Sequence, residues 1–136
     1  MILLGVQDPA EFAAESAKAY AERGLDGLAE GWHADLVYEE DPLWPGAGTF
    51  RGRAAVVARF REYEEQLGPG VAAIERVAER RNGLVVIWRH AGVTTGAGVP
   101  FEHRWAWLLR MRDGKTVHIR AYFDPDQALQ AAGPEE

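Results

Sequence analysis

Two histidines and a run of tryptophans carry the chemistry this chain could do. Residues 103–124, HRWAWLLRMRDGKTVHIRAYFD, read as a strand, an Asp113-Gly114 turn and a second strand. Alternation places His103, Trp105, Trp107, Leu109 and Met111 on one face, and Arg104, Ala106, Leu108, Arg110 and Arg112 on the other. The first face is wide, aromatic and carries one titratable ring, as the wall of a ligand cavity would. The second is cationic and is expected to meet water or a subunit contact. By the same parity the preceding strand supplies Val86, Trp88 and His90, and the last strand Ile119, Ala121 and Phe123. An imidazole titrates near neutrality, so His90 and His103 could act as acid, base or proton shuttle. Against this stands the plainer reading, in which both histidines and the tryptophans only fill a core.

A pair of carboxylates, Glu40 and Asp41, closes the segment WHADLVYEED. At the mouth of an apolar pocket a carboxylate favours its neutral form, and can abstract an acidic C–H proton or activate water. The alternative is a solvated strand end before an ordinary Asp-Pro turn. Tyr20, Tyr38 and Tyr63 could donate hydroxyls to such a pocket. His90, His103 and Glu40 make only a weak candidate for a metal set, so no metal and no other cofactor is expected.

The elements that must position these groups follow from the pattern. Asp8-Pro9-Ala10-Glu11 opens a helix that ends near Gly24, and a short helix over Leu25–Gly31 is expected next, with Trp32 at its end. A strand runs from Asp35 to Glu40, and DPLWPGAG, 41–48, is loop. Val56, Phe60, Tyr63 and Leu67 recur at helical spacing and predict a helix over Gly52–Leu67, closed by Gly68-Pro69. The period then changes to two. Strands over Ala72–Arg80 and Leu84–Thr95 flank Asn82-Gly83, a hairpin signal, and the pair at 103–124 completes four antiparallel strands. Asp124-Pro125 starts a last helix, and the tail AAGPEE is expected to fray. Helices segregated against one face of a curved antiparallel sheet make an α+β fold, expected as one domain over residues 1–136.

Composition sets outer bounds. The net charge of −6 argues against nucleic acid or an anionic membrane as partner. No cysteine is present, which removes disulfides, thiolate nucleophiles and cysteine-held zinc. Met1–Val6 is too short for a signal segment, so a cytoplasmic location is expected.

The segments AERGLDGLAEGWHADLVYEEDP (21–42), GTFRGRAAVVARF (48–60) and RMRDGKTVHIRAYFD (110–124), in this order, resemble the nuclear transport factor 2-like superfamily. Within it the chain is similar to SnoaL-like polyketide cyclases, ketosteroid isomerases and limonene-epoxide hydrolases. The resemblance implies a cone-shaped fold, a curved sheet wrapped around N-terminal helices with a deep apolar pocket, and a homodimer through the outer sheet face. It implies a carboxylate base at Glu40 or Asp41, one residue of register apart and on opposite faces. It also implies that Trp32 and Phe60 line the pocket. The isomerases' oxyanion-hole positions correspond to Ser16 and Trp107. The aspartate that hydrolases and cyclases carry on the last strand corresponds to Ala121. The expected function is cofactor-free acid/base catalysis, of isomerase, cyclase or hydratase type, on a small apolar polycyclic or terpenoid molecule. Glu40 or Asp41 would be the base, and His90 or His103 would donate to the developing oxyanion. The ligand would sit against Tyr20, Trp32, Tyr38, Phe60, Trp88, Trp105, Trp107, Ile119, Ala121 and Phe123. The alternative is a non-catalytic binding or protein-interaction domain.

Overall fold

The structure is a computed structural model and describes residues 8–67, 70–94 and 96–135. Met1–Val6 and the Gly68-Pro69 closure lie outside the described residues. The order is α1 (Pro9–Ala29), β1 (Trp32–Glu39), β2 (Thr49–Arg51), α2 (Arg53–Leu67), β3 (Gly70–Arg80), β4 (Gly83–Val93), β5 (Pro100–Arg112), β6 (Lys115–Tyr122) and α3 (Pro125–Ala132). The strands form one curved, open sheet in the order β2-β1-β6-β5-β4-β3. Four of its five pairings are antiparallel, but β1 runs parallel to β6. This α+β arrangement is the expected fold class.

Local chemistry accounts for most boundaries. The Asp8 carboxylate accepts from the Ala10 N–H at 3.2 Å, and Asp124 accepts from Asp126 N–H at 2.9 Å, each ahead of a proline that suits the first helical turn. Asp113 and Gly114 both take positive φ, 55° and 75°, as a two-residue hairpin turn requires.

The two expected helices follow one another directly within α1. Gly24, at φ 65° and ψ −148°, leaves the helical region, ends the first of them and reverses the path into the second. The second half folds back so closely that a Cβ on Gly27 would come within 2.3 Å of the Ala19 carbonyl oxygen. That return lets Tyr20 from the first half, and Leu25 and Leu28 from the second, face the same space.

Several expectations are corrected. Trp32 does not end a helix; it is the first residue of β1. A short strand, β2, emerges from what looked like loop and helix entry, because Thr49–Arg51 pairs with Val37–Glu39. Met111 ends the aromatic face and is exposed, and a bulge in β6 sets the buried Thr116 beside it, its hydroxyl 3.5 Å from the Met111 sulfur. The supposedly wet face of β5 is partly core: Ala106 and Leu108 pack with Val85, Ile87, Ala128 and Ala132 beneath α3. Arg104 and Arg112 on that face are paired, with Glu75 at 2.6 Å and Asp35 at 2.9 Å. The C-terminal tail is tied down as well, since Ala132 O accepts from Asn82 N–H at 2.9 Å and Pro134 O from Arg81 N–H at 3.1 Å. No described helix is long and apolar enough to cross a membrane.

Candidate functional site: an aromatic cavity between helices and sheet

The larger core lies between α1, α2 and the concave face of the sheet. It is not fully packed. A cavity of about 510 Å³ opens there, within the usual range for small-molecule sites. Tyr20, Leu25 and Leu28 come from α1, and Phe60, Tyr63, Glu64 and Leu67 from α2. Ala72 comes from β3, Trp88 and His90 from β4, and Trp105 and Trp107 from β5. The sheet contribution follows from register. Trp88 pairs with Trp105, and His90 with His103, so alternate residues of two strands build one aromatic wall. Trp88 and Trp107 lie 5.3 Å apart between ring centroids, and Trp107 meets Phe60 edge-on at 5.8 Å.

The other expected ligand contacts divide between two small voids. Tyr38, Glu40, Asp41, Ala121 and Phe123 border one of about 30 Å³. Phe60, Tyr63, Trp105 and Trp107 border both that void and the large cavity, and so form the partition between them. Trp32 and Ile119 border another of about 20 Å³, and Ile119 is fully buried.

Glu40 and Asp41 both face inward, through different bonds. The Glu40 carboxylate accepts from Arg59 Nε at 2.8 Å and Arg59 Nη2 at 3.0 Å. It also accepts from Gly48 N–H at 3.1 Å and from the Tyr63 hydroxyl. Four donors occupy the sites two carboxylate oxygens offer. Asp41 accepts from Leu43 N–H at 2.9 Å, an Asx turn, and from Phe123 N–H at 3.0 Å. The Tyr63 hydroxyl also meets Tyr38 Oη at 3.1 Å. Burial, then the Glu40 charge, pushes the Tyr38 hydroxyl far above its ordinary value. The Glu40 hydrogen bond likewise strengthens the Arg59 cation. Sequence reasoning missed Arg59, although Arg59 and Tyr63 stand one helical turn apart on α2, a spacing that puts both on one face.

His90 lines the large cavity, and His103 stands behind it, with ring centroids 5.7 Å apart. His90 stacks on Trp105, and His103 meets the same indole edge-on at 4.7 Å. Among the described residues, His90, His103 and Glu40 do not assemble as a three-ligand metal set. His33 and His118 are both partly buried, and His118 Nε2 lies 2.6 Å from Glu39 Oε2.

Burial lowers the pKa of His90, with His103 adding to the effect, and burial lowers that of His103. Both rings therefore stay neutral where a free imidazole begins to charge. The unfolded chain binds protons more readily there, so stability is fully present above about pH 6.5 and falls as the pH drops toward the depressed native values. Thermal melts from pH 8 to pH 5 should show this loss, and His90→Asn with His103→Asn should flatten the profile.

A family model described as a SnoaL-like domain matches residues 13–119. A search among curated proteins found no match. Among solved structures, an NTF2-like protein from Burkholderia thailandensis E264 is 22% identical with a TM-score of 0.75, covering 95% of this chain and 100% of that one. A protein with a ketosteroid isomerase-like fold from Catenulispora acidiphila DSM 44928, in complex with trimethylamine, is 19% identical with a TM-score of 0.70, over 93% and 96% of the two chains. TerC, co-crystallised with polyporic acid, is 22% identical with a TM-score of 0.71, over 91% and 96%. At these identities the structures speak for the fold alone. The family match spans most of the chain, and with the cone of sheet and helices it establishes that the protein belongs to the SnoaL-like domain family.

Proposed function

We propose that the protein takes a small, mostly apolar, ring-bearing molecule into the 510 Å³ cavity and moves protons on it without a cofactor, in an isomerase-, cyclase- or hydratase-type reaction. The observation that carries this reading is the cavity wall itself: six aromatic rings with one imidazole, His90, among them. His90 is the imidazole in reach of a bound molecule, and in its neutral form it can take a proton at one ring nitrogen and give one from the other, with His103 as its neighbour. Glu40 acts indirectly, by holding the Tyr63 hydroxyl at the cavity wall. The SnoaL-like family and the polyporic acid bound by TerC agree with a ring-bearing ligand.

A second reading, a binder without turnover, is favoured by the full engagement of Glu40 and by the peptide N–H groups already held by Asp41. The test is a thermal-shift screen of steroid enones, aromatic polyketides and terpene epoxides, followed by product analysis on each hit. Turnover that drops at least 100-fold in His90→Ala, with binding retained, supports the enzyme. A ligand recovered unchanged supports the binder. No shift with any compound removes both.

A further inference from the structure

We infer that the β4–β5 wall of the cavity is a hydrogen-bonding subsite for an uncharged oxygen of the ligand, held by Trp88 Nε1 and the imidazole of His90. The inference rests on the cavity being a ligand site and adds the polar group the ligand must carry.

Trp88 is 4% exposed and lines the cavity, yet its indole Nε1 has no hydrogen-bond partner. Indole N–H groups in protein interiors are nearly always paired, because leaving one unpaired forfeits its hydration with nothing in return. His90 Nδ1 and His103 Nε2 are buried and unpartnered too. These three atoms are not scattered. Trp88 and His90 are alternate residues of β4, and His103 is the cross-strand partner of His90 on β5. This stretch of an otherwise apolar wall therefore holds a donor without an acceptor, shielded from water in the chain alone, beside two imidazoles with one unpartnered nitrogen each. A hydroxyl or carbonyl oxygen of a ligand would supply the missing partner, and a hydroxyl could accept from the indole while donating to an imidazole nitrogen.

Charge excludes an ionised alternative. The cavity lining includes one carboxylate, Glu64, and no lysine or arginine among the described residues. Arg59 lies near but is committed to Glu40 and Glu62. A carboxylate ligand would thus lose its hydration and find no cation in return.

Three probes of similar size separate the possibilities: naphthalene, 2-naphthol and 2-naphthoate, titrated by quenching of tryptophan fluorescence at pH 8. The native protein is expected to bind 2-naphthol about 10-fold more tightly than naphthalene, the effect of one or two good hydrogen bonds, and 2-naphthoate most weakly. Trp88→Phe keeps a ring and removes the N–H, so it should shrink the ratio of naphthol to naphthalene affinity to about 3-fold or less, whatever change the smaller ring makes to both affinities together. His90→Phe should act in the same direction, and it serves if Trp88→Phe does not fold. Equal binding of naphthol and naphthalene, an advantage that survives both variants, or preference for the naphthoate overturns the subsite and leaves the cavity reading standing. Binding of none of the probes overturns both.

Discussion

Arg59→Met is expected to destabilise the protein by about 3–5 kcal/mol, the usual cost of stranding one member of a buried ion pair. The Glu40 side chain is only 2% exposed, and Arg59 is 13% exposed. The guanidinium meets the carboxylate through two nitrogens and lies 5.1 Å from the centre of the Phe50 ring and 5.2 Å from that of Tyr63. Water cannot readily replace it there. Methionine keeps much of the aliphatic stem but leaves the carboxylate with only Gly48 N–H and Tyr63 as donors. Adding Glu40→Gln should recover a large part of the loss, because removing both charges deletes the desolvation cost along with the attraction. Urea denaturation of the two single variants and the double variant reads this directly. A loss under 1 kcal/mol for Arg59→Met would mean that the carboxylate has easy access to water, and Glu40 would return as a candidate base acting directly on a ligand.

Ala72→Trp is expected to abolish ligand binding, by at least 100-fold, while the protein stays folded. Ala72 lines the cavity from β3, opposite His90 in register, and is half-buried. An indole in its place would occupy space that a ligand needs, without displacing a packed neighbour. The assay is the shift in unfolding with a compound that stabilises the native protein. At 100 times its dissociation constant such a compound contributes about 2.7 kcal/mol to the native chain, and it should contribute almost nothing to the variant. A ligand that stabilises the variant as well as the native protein must bind elsewhere, and the aromatic cavity would lose its assignment.

Much of this was legible along the chain. Helix caps at Asp8 and Asp124, the Asp113-Gly114 turn and the alternation through β4 and β5 are local features, fixed by residues a few positions apart. They sufficed to put Trp88, His90, Trp105 and Trp107 on one wall, with His103 beside them. The pairing of Met111 with Thr116 rather than Val117 escaped the pattern because a bulge in β6 shifts its parity by one residue, and alternation carries no sign of where a bulge falls. The burial of Ala106 and Leu108 escaped because it depends on α3 crossing the far face of the sheet, a packing event between segments distant in sequence.

By itself, then, the sequence determined the α+β class, the inward aromatic face and the two adjacent histidines, since each follows from periodicity and from cross-strand pairing between neighbours in the chain. Only the tertiary structure decided which of these residues share a cavity. Phe60, Tyr63, Trp105 and Trp107 close Glu40 and Asp41 off into a small void with Ala121 and Phe123, while His90 remains on the large one. That division depends on where α2 lies across the sheet and on Arg59 reaching Glu40 from a different element. Such volumes and pairings exist only after distant segments pack, and no pattern within one segment encodes them.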